Sequence, residues 1–327
     1  MKAAFYQQTG PASAVLTVGP LDTPQAGPGE VRVRIRASGV NPSDVKLRSG
    51  KARRAVSFDR VVPSNDGAGD IDQVGAGVAA SRLGQRVWLY NAQYFRAFGT
   101  AAEHIVVPAA LAVPLPDGTG YAAGACFGIP LQTAYRAVTL DGPVDGLTIL
   151  VAGGAGAVGH YAIQIAKAKG ATVIATVSSA EKAARAREAG ADQVIDYRTE
   201  DVAARVLALT GGAGVDRLIE VDLSHNATLD IALVKPHGTI VVYGTGDDMA
   251  TVPALASIVK SIGYRFFVVY EIPAEPRAAM IADLAAMLEK GVIAHAIGAR
   301  FPLADIVKAH EAMESGAVIG NIVVEID

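Results

Sequence analysis

The run Val151-Ala152-Gly153-Gly154-Ala155-Gly156-Ala157-Val158-Gly159 sets glycines at Gly154, Gly156 and Gly159, the G-x-G-x-x-G spacing of a phosphate cradle. It follows an apolar stretch directly and opens a helical pattern, the context in which that spacing carries meaning. In such a turn Gly154 permits the tight bend, Gly156 admits a pyrophosphate to the backbone, and Gly159 lets the helix pack on the strand. Free N–H groups and partial positive charge at the helix start, over Gly154, Ala155, Gly156, Ala157 and Val158, then favour an anion. The competing reading is a glycine-rich turn with no ligand. Ser178 stands 19 residues after Gly159, where an NAD-binding chain usually has an acidic residue for the ribose 2′-hydroxyl. Ser178, Ser179 and Lys182, with Arg185 and Arg187 farther along, suit a 2′-phosphate dianion and favour NADP(H). Glu181, able to reach a 2′-hydroxyl, is the argument for NAD.

Positioning these residues requires strands and helices in strict alternation. Residues 147–151 form a continuous apolar strand, and 158–169 a helix closed by Gly170. A strand at 172–177 leads to Ser179, which can cap a helix over 180–189. Strands at 193–195, 217–221 and 239–243 alternate with helices at 202–209 and 226–234. That pattern is a doubly wound parallel sheet with helices on both faces. The first third is β-rich instead. Val31, Val33 and Ile35 alternate with Arg32, Arg34 and Arg36, and short strands are expected at 84–90 and 102–107. The arginines read as a solvated face. Residues 122–138 are Ala-rich with mixed helical spacing around Pro130. Beyond residue 260 the pattern is mixed, with a strand at 266–270 and a closing strand at 321–326. Between them, a helix at 276–290 carries Met280, Leu284, Met287 and Leu288 on one face. With no repeat and no low-complexity linker, two closely packed domains with a cleft between them are expected.

Composition removes several function classes. The 327 residues carry 29 Lys+Arg against 32 Asp+Glu, so no basic surface argues for nucleic acid or an anionic membrane as partner. Hydrophobic residues make up 51% of the chain, which argues for a sizeable core. Mean hydropathy is +0.31, yet no apolar window approaches the roughly 20 residues a membrane span needs. The one cysteine, Cys126, excludes an intrachain disulfide framework and a multi-thiolate zinc site. His104, His160, His225, His237, His295 and His310 show no paired ligand spacing. The start of the chain lacks a signal-peptide core, so a cytoplasmic protein is the simplest expectation.

Further segments, in order, are Gly39-Val40-Asn41-Pro42-Ser43-Asp44 with Arg48-Ser49-Gly50, then Pro63-Ser64-Asn65-Asp66-Gly67-Ala68-Gly69 and Val74-Gly75-Ala76-Gly77-Val78. Gly84-Gln85-Arg86-Val87, Thr133-Ala134-Tyr135, the glycine loop, Ala189-Gly190-Ala191-Asp192, Asp196-Tyr197-Arg198 and Gly320-Asn321-Ile322-Val323 follow. In this order the chain resembles the medium-chain dehydrogenase/reductase superfamily, in its zinc-independent quinone oxidoreductase (zeta-crystallin-like) branch. The resemblance covers nearly the whole chain. It implies an α/β protein with a GroES-like, mostly β catalytic domain from residues 1–122 and 265–327. A Rossmann doubly wound parallel-sheet domain, residues 123–264, is inserted between them.

The zinc-using relatives have Cys where this chain has Asn41, and His-Glu where it has Asn65-Asp66. The resemblance therefore implies no zinc. Hydride transfer from NADPH then suits acceptors that are already electrophilic, quinones or α,β-unsaturated carbonyls. It places Asn41 near nicotinamide and substrate, and Thr133 at the nicotinamide ribose. Ser178, Lys182 and Tyr197 flank the 2′-phosphate, and Tyr243-Gly244-Thr245 lie along the cofactor. The backbone of Phe266-Phe267-Val268, with Asn321, closes over it. Lys46 stands where many members of the branch have Tyr; it is a proton donor or a salt-bridged surface residue. Tyr94 borders the site or simply packs. Gly50-Lys51-Ala52 lacks the tyrosine that 2-enoyl thioester reductases add there. Acceptor specificity is expected in residues 51–59 and 92–99. The alternatives are a 2-enoyl thioester reductase and a non-catalytic NADPH-binding protein. A homodimer through a Rossmann edge strand near Val268-Val269-Tyr270 is expected.

Overall fold

The computed structural model describes residues 1–51 and 58–327. Residues 52–57, and with them part of the expected specificity segment and Ala52, lie outside the described residues. The chain divides into two units, Met1–Ile129 with His295–Asp327, and Pro130–Ala294.

In the first unit, β1 (Lys2–Phe5), α1 (Ala12–Val15) and β2 (Thr17–Pro20) form a short antiparallel ribbon and its connection. Then come β3 (Glu30–Val40), α2 (Pro42–Ser49), β4 (Asp66–Val74), β5 (Arg86–Leu89), β6 (His104–Pro108), β7 (Ala112–Pro114) and α3 (Tyr121–Gly124). The long strand β3 organises the sheet, pairing antiparallel with both β4 and β6, and β4 continues to β5 and β7. The alternation in its sequence puts Val31, Val33 and Ile35 fully in the core. Arg32 and Arg36, on the opposite face, pair with Asp72 and Asp70 at 2.8 and 3.0 Å. Cys126 is buried, its thiol donates to the Ala122 carbonyl at 3.3 Å, and burial pushes that thiol well up from its ordinary range.

The second unit runs α4 (Gln132–Thr139), β8 (Thr148–Val151), α5 (Ala157–Ala168), β9 (Thr172–Val177), α6 (Ala180–Glu188), β10 (Gln193–Asp196), α7 (Val202–Leu209), β11 (Val215–Glu220), α8 (Leu223–Leu233), β12 (Val234–Val242), α9 (Ala254–Lys260), β13 (Gly263–Phe266) and α10 (Ala274–Glu289). All six strands are parallel, in the order β10-β9-β8-β11-β12-β13. Strand order therefore reverses between β8 and β11, the place where doubly wound sheets bind ligands. Ile149, Val151, Val173, Ala175, Leu218 and Ile219 are buried, as strands covered on both faces require.

The chain then returns to the first unit as β14 (Ile297–Pro302), α11 (Ile306–Ser315) and β15 (Asn321–Glu325). There β15 lies antiparallel on β3 and parallel to β14.

Two expectations change here. The strand expected at 266–270 ends at Phe266, and Val269–Glu271 form a 3₁₀ turn. The buried guanidinium of Arg277 donates to the Val269 and Tyr270 carbonyls at 2.6 and 3.2 Å, turning that backbone toward a side chain. The domain boundary moves for a related reason. Residues 265–294, expected with 1–122, belong to the second unit: β13 is the sixth strand of its sheet, and α10 bonds to α4 through Tyr135–Asp283 at 2.6 Å and Arg277–Gln132 at 2.6 Å.

The first unit holds a buried cation cluster. Arg48, at the end of α2, is fully buried; it donates to the Gly10 carbonyl and pairs with Glu314 of α11. His310, also fully buried, has no hydrogen-bond partner on either ring nitrogen among the described residues. Burial, then the Arg48 charge, pushes it down to about 3. The folded chain thus keeps His310 neutral, while the unfolded chain protonates it near pH 6.5. This group's stability contribution is full above that pH and is lost as pH falls toward 3, amounting to about 2 kcal/mol by pH 5. Asp44, pushed up to about 6 by burial, acts in the opposite sense, its contribution falling as pH rises from 3.8 to 6. Denaturant midpoints at pH 7 and pH 5 should converge in His310→Gln relative to the parent chain; an unchanged pH difference would remove His310 from the acid limb.

Candidate functional site

The second unit builds a cradle at the switch point. Strand β8 ends at Val151, and Ala152 N donates to Ile219 O of β11 at 3.0 Å. On the other side Gly154 N donates to Thr176 O of β9 at 3.0 Å, so the turn is pinned between its two neighbouring strands. The left-handed residue is Gly153, at φ +66°, rather than Gly154. Gly154 is needed for closeness: a Cβ there would lie 2.7 Å from Ala175 Cβ. A Cβ on Gly159 would lie 2.3 Å from Gly153 O, which brings the first turn of α5 hard against the loop. Gly156 differs, being exposed, with Gly153 O at 3.3 Å as the nearest atom to such a Cβ. Ala155 is buried, and Ala157 and Val158 are half-buried at the start of α5. A helix start leaves its first N–H groups without intrahelical acceptors, so the mouth fits a pyrophosphate.

At the end of β9, Lys182 Nζ donates to Ser178 Oγ at 3.0 Å. Tyr197, exposed, has its backbone N–H on Val177 O at 3.0 Å and so stands beside Ser178. The structure separates the two serines: Ser179 caps α6 by accepting from Lys182 N at 3.3 Å. Glu181 is exposed on the first turn of α6.

A cavity of about 580 Å³ opens at the C-terminal ends of β12 and β13. Tyr243, Gly244, Thr245, Phe266, Phe267 and Val268 all line it. Gly244 sits where a Cβ would meet Val221 O at 2.3 Å. Thr245 donates to Asp247 O at 2.6 Å. Thr133 is buried in α4, next to the Gln132 that receives Arg277. Elsewhere in the second unit, burial and the Glu220 charge push the buried Asp230 carboxyl well up from its ordinary range. Burial also raises the Tyr243 phenol.

The first unit carries Asn41, Lys46, Tyr94 and Asn321. Asn41 is buried at the start of α2, and its Nδ2 donates to Asp66 Oδ2 at 2.9 Å. Tyr94 is half-buried in a turn whose flanking residues Asn91 and Phe95 have φ of +51° and +56°. Its ring meets Phe95 edge-on at 4.4 Å. Lys46 is exposed on α2. Asn321 is buried and gives its Nδ2 to Ala296 O at 2.9 Å.

Family models match two stretches of the chain: the alcohol dehydrogenase GroES-like domain over residues 27–117, and zinc-binding dehydrogenase over residues 157–286. A quinone oxidoreductase of Pseudomonas aeruginosa is 34% identical over 305 residues, covering 91% of this chain and 92% of its own. The chain belongs to the medium-chain dehydrogenase/reductase superfamily, in its quinone oxidoreductase branch. As a member of that superfamily it is an oxidoreductase. A mycobacterial structure solved in complex with NADPH superposes with a TM-score of 0.88 at 30% identity, covering 99% of this chain and 100% of that one. A structure described as an NAD-dependent alcohol dehydrogenase superposes at 0.91 with 27% identity, covering 100% of both chains. The fold alone thus accommodates either nicotinamide cofactor, and the local chemistry at Ser178 has to decide.

Zinc can be tested against the side chains present in this oxidoreductase. At the two places where zinc-using members put Cys and His stand Asn41 and Asn65. Their Nδ2 groups already donate, to Asp66 at 2.9 Å and to Asp44 at 3.2 Å. Amides are poor zinc ligands beside thiolate and imidazole. Among the described residues no group of three or more His, Cys, Asp and Glu could hold a metal ion. The donor set does not fit zinc.

Sequence reasoning missed Arg277, Asp44 and Asn65. Arg277 gave no sequence signal, since nothing at position 277 shows that its guanidinium returns to 269–270. Asp44 gave one: it stands three residues after Asn41, where a helix-start carboxylate reaches back to the N-cap N–H.

Proposed function

We propose that this oxidoreductase uses NADP(H) to reduce quinones or α,β-unsaturated carbonyls without zinc. The observation that carries the reading is the buried amide–carboxyl network around Asn41, which occupies the metal position with groups bonded to each other. An acceptor reduced there must already be electrophilic, which quinones and enones are. When bound, NADPH supplies the hydride. The chain's own work is to hold and orient. N–H groups from Gly154 to Val158 take the pyrophosphate, and Ser178, Lys182 and Tyr197 take the 2′-phosphate. Thr133, the Tyr243-Gly244-Thr245 end of β12 and the Phe266-Phe267-Val268 backbone take the nicotinamide half. Asn41 and Tyr94 meet the acceptor, excluding water and bonding the oxygen on which charge develops. Lys46, exposed on the helix that Asn41 caps, supplies a proton from the solvent side. The mycobacterial NADPH complex supports the cofactor assignment.

The test is loss of reduced-nicotinamide absorbance with NADPH and with NADH, against a quinone, a simple enone and an enoyl thioester. Turnover fastest with NADPH and a quinone or enone is expected. A preference for the thioester would make the chain a 2-enoyl thioester reductase, and tight NADPH binding without turnover would make it a binding protein.

The proposed protein partner is a second copy of the chain. β13 is an edge strand, and α9 just before it exposes Leu255, Ile258 and Val259 at 75, 71 and 76%. An unpaired edge beside an apolar helix face is suited to isologous pairing. Light scattering should give twice the 33.6 kDa chain mass and Ile258→Lys should halve it; a monomeric parent chain would remove the idea.

A further inference from the structure

Asn41 and Tyr94 lie on different segments, the N-cap of α2 and the turn at 91–96, yet one buried carboxylate joins them. Asp44 Oδ2 accepts from Asn41 N at 2.9 Å, and Asp44 Oδ1 accepts from Asn65 Nδ2 at 3.2 Å. Asn65 passes the connection on. Its Oδ1 accepts from Gln93 N at 3.1 Å, and its backbone carbonyl accepts from Ala92 N at 3.1 Å. The turn is tightened further by Gln93 Nε2 on Arg96 O at 2.9 Å. Asn41, Asp44, Asn65, Asp66 and Gln93 are all buried.

The two carboxyls are not equivalent. Burial and the Asp44 charge push Asp66 well above the ordinary carboxylate range, and its Oδ2 serves as a hydrogen-bonding wall for the Asn41 amide. Asp44, at about 6, carries the charge at neutral pH. A carboxylate accepts on both oxygens at once, whereas an amide has one accepting oxygen and an NH₂ that faces a donor. Buried and desolvated, such a mismatch is not relieved by water.

We propose that Asp44 is a positioning residue: its carboxylate holds the Asn41 backbone and the Tyr94-bearing turn in fixed relation for reduction of the acceptor. This rests on the reading that Asn41 and Tyr94 meet the acceptor.

Asp44→Asn should lower kcat with a quinone by about 10- to 100-fold, the range expected when a reacting geometry loosens. KM for NADPH should stay within about 2-fold, because the cradle belongs to the other unit. The exchanged pair Asp44→Asn/Asn65→Asp restores both bonds with the charge moved one residue along the chain of contacts. It should recover kcat to within about 3-fold. Hydrogen exchange gives a readout that needs no turnover. Asp44→Asn should speed exchange at both 41–44 and 91–96, and the exchanged pair should slow both again. Should Asp44→Asn not fold, Asn65→Ala, which leaves Asp44 on Asn41 but frees the turn, should show faster exchange at 91–96 and the same kcat loss. Wild-type kcat in folded Asp44→Asn, or faster exchange at 41–44 alone, would overturn the proposal. So would an exchanged pair that regains its melting temperature but not its kcat. Failure of the parent chain to reduce any acceptor is a separate result: it sinks the proposed function, while hydrogen exchange still decides whether Asp44 couples the two segments.

Discussion

Gly159→Ala should raise the Kd for NADPH at least about 100-fold, equivalent to roughly 3 kcal/mol, and lower the melting temperature as well. The added Cβ would sit 2.3 Å from Gly153 O, 2.9 Å from Gly153 C and 3.0 Å from Gly154 Cα. All three are backbone atoms, so no rotamer change relieves the contact; either α5 lifts or the turn moves. The turn is also held by Ile219 O on one side and Thr176 O on the other, which leaves it little room to move. Whichever part shifts, the N–H groups at the helix start no longer converge on one anion. Gly156→Ala makes the control. Its Cβ would have Gly153 O at 3.3 Å as its nearest neighbour, so the fold should hold, while the methyl obstructs the mouth where phosphate enters. Titration calorimetry with thermal melts on both variants separates the effects: Gly159→Ala should move both observables and Gly156→Ala mainly the Kd. Wild-type affinity in Gly159→Ala would place the cofactor elsewhere.

Lys182→Ala should lower kcat/KM for NADPH by about 10- to 100-fold while leaving NADH within about 3-fold, since a charge-assisted hydrogen bond is worth roughly 1.5–3 kcal/mol. The Nζ atom already rests on Ser178 Oγ at 3.0 Å, so cation and hydroxyl are gathered before ligand arrives. The two are in contact, and Ser178→Ala/Lys182→Ala should cost less than the product of the single losses. Ser179→Ala is expected to behave differently. Its hydroxyl caps α6, so the change should cost about 1 kcal/mol of stability and treat both cofactors alike. Equal losses with NADPH and NADH in Lys182→Ala would mean that the lysine supports the helix rather than a phosphate.

Much of the second unit was legible because its signals are local. Apolar strands, glycine closures and the Ser179 cap follow one another within a few residues, and α7 occupies the expected 202–209. The end of that unit was not legible. Residues 266–270 are apolar and β-branched enough to read as a strand, and the side chain that turns them lies at Arg277. The site shows the same division. The glycine cradle and the Ser178–Lys182 pair are short-range patterns with a known geometry. The network around Asn41 spans 21 residues between Asp44 and Asn65 and 28 between Asn65 and Gln93. Such pairings between polar residues leave no periodicity to read. Asn41 was reached through resemblance, and its partners only through coordinates.

Quinones and enones, the acceptors proposed above, are soft electrophiles that add to thiolates, so a protein that reduces them would be exposed to alkylation by its own substrate. Only the ionised sulfur reacts, and only where reagent can reach it. This chain holds one cysteine, sealed in the core of the first unit, protonated and bonded to the Ala122 carbonyl. Native enzyme should therefore survive repeated turnover without thiol adducts, and alkylation of the cysteine would begin only with unfolding.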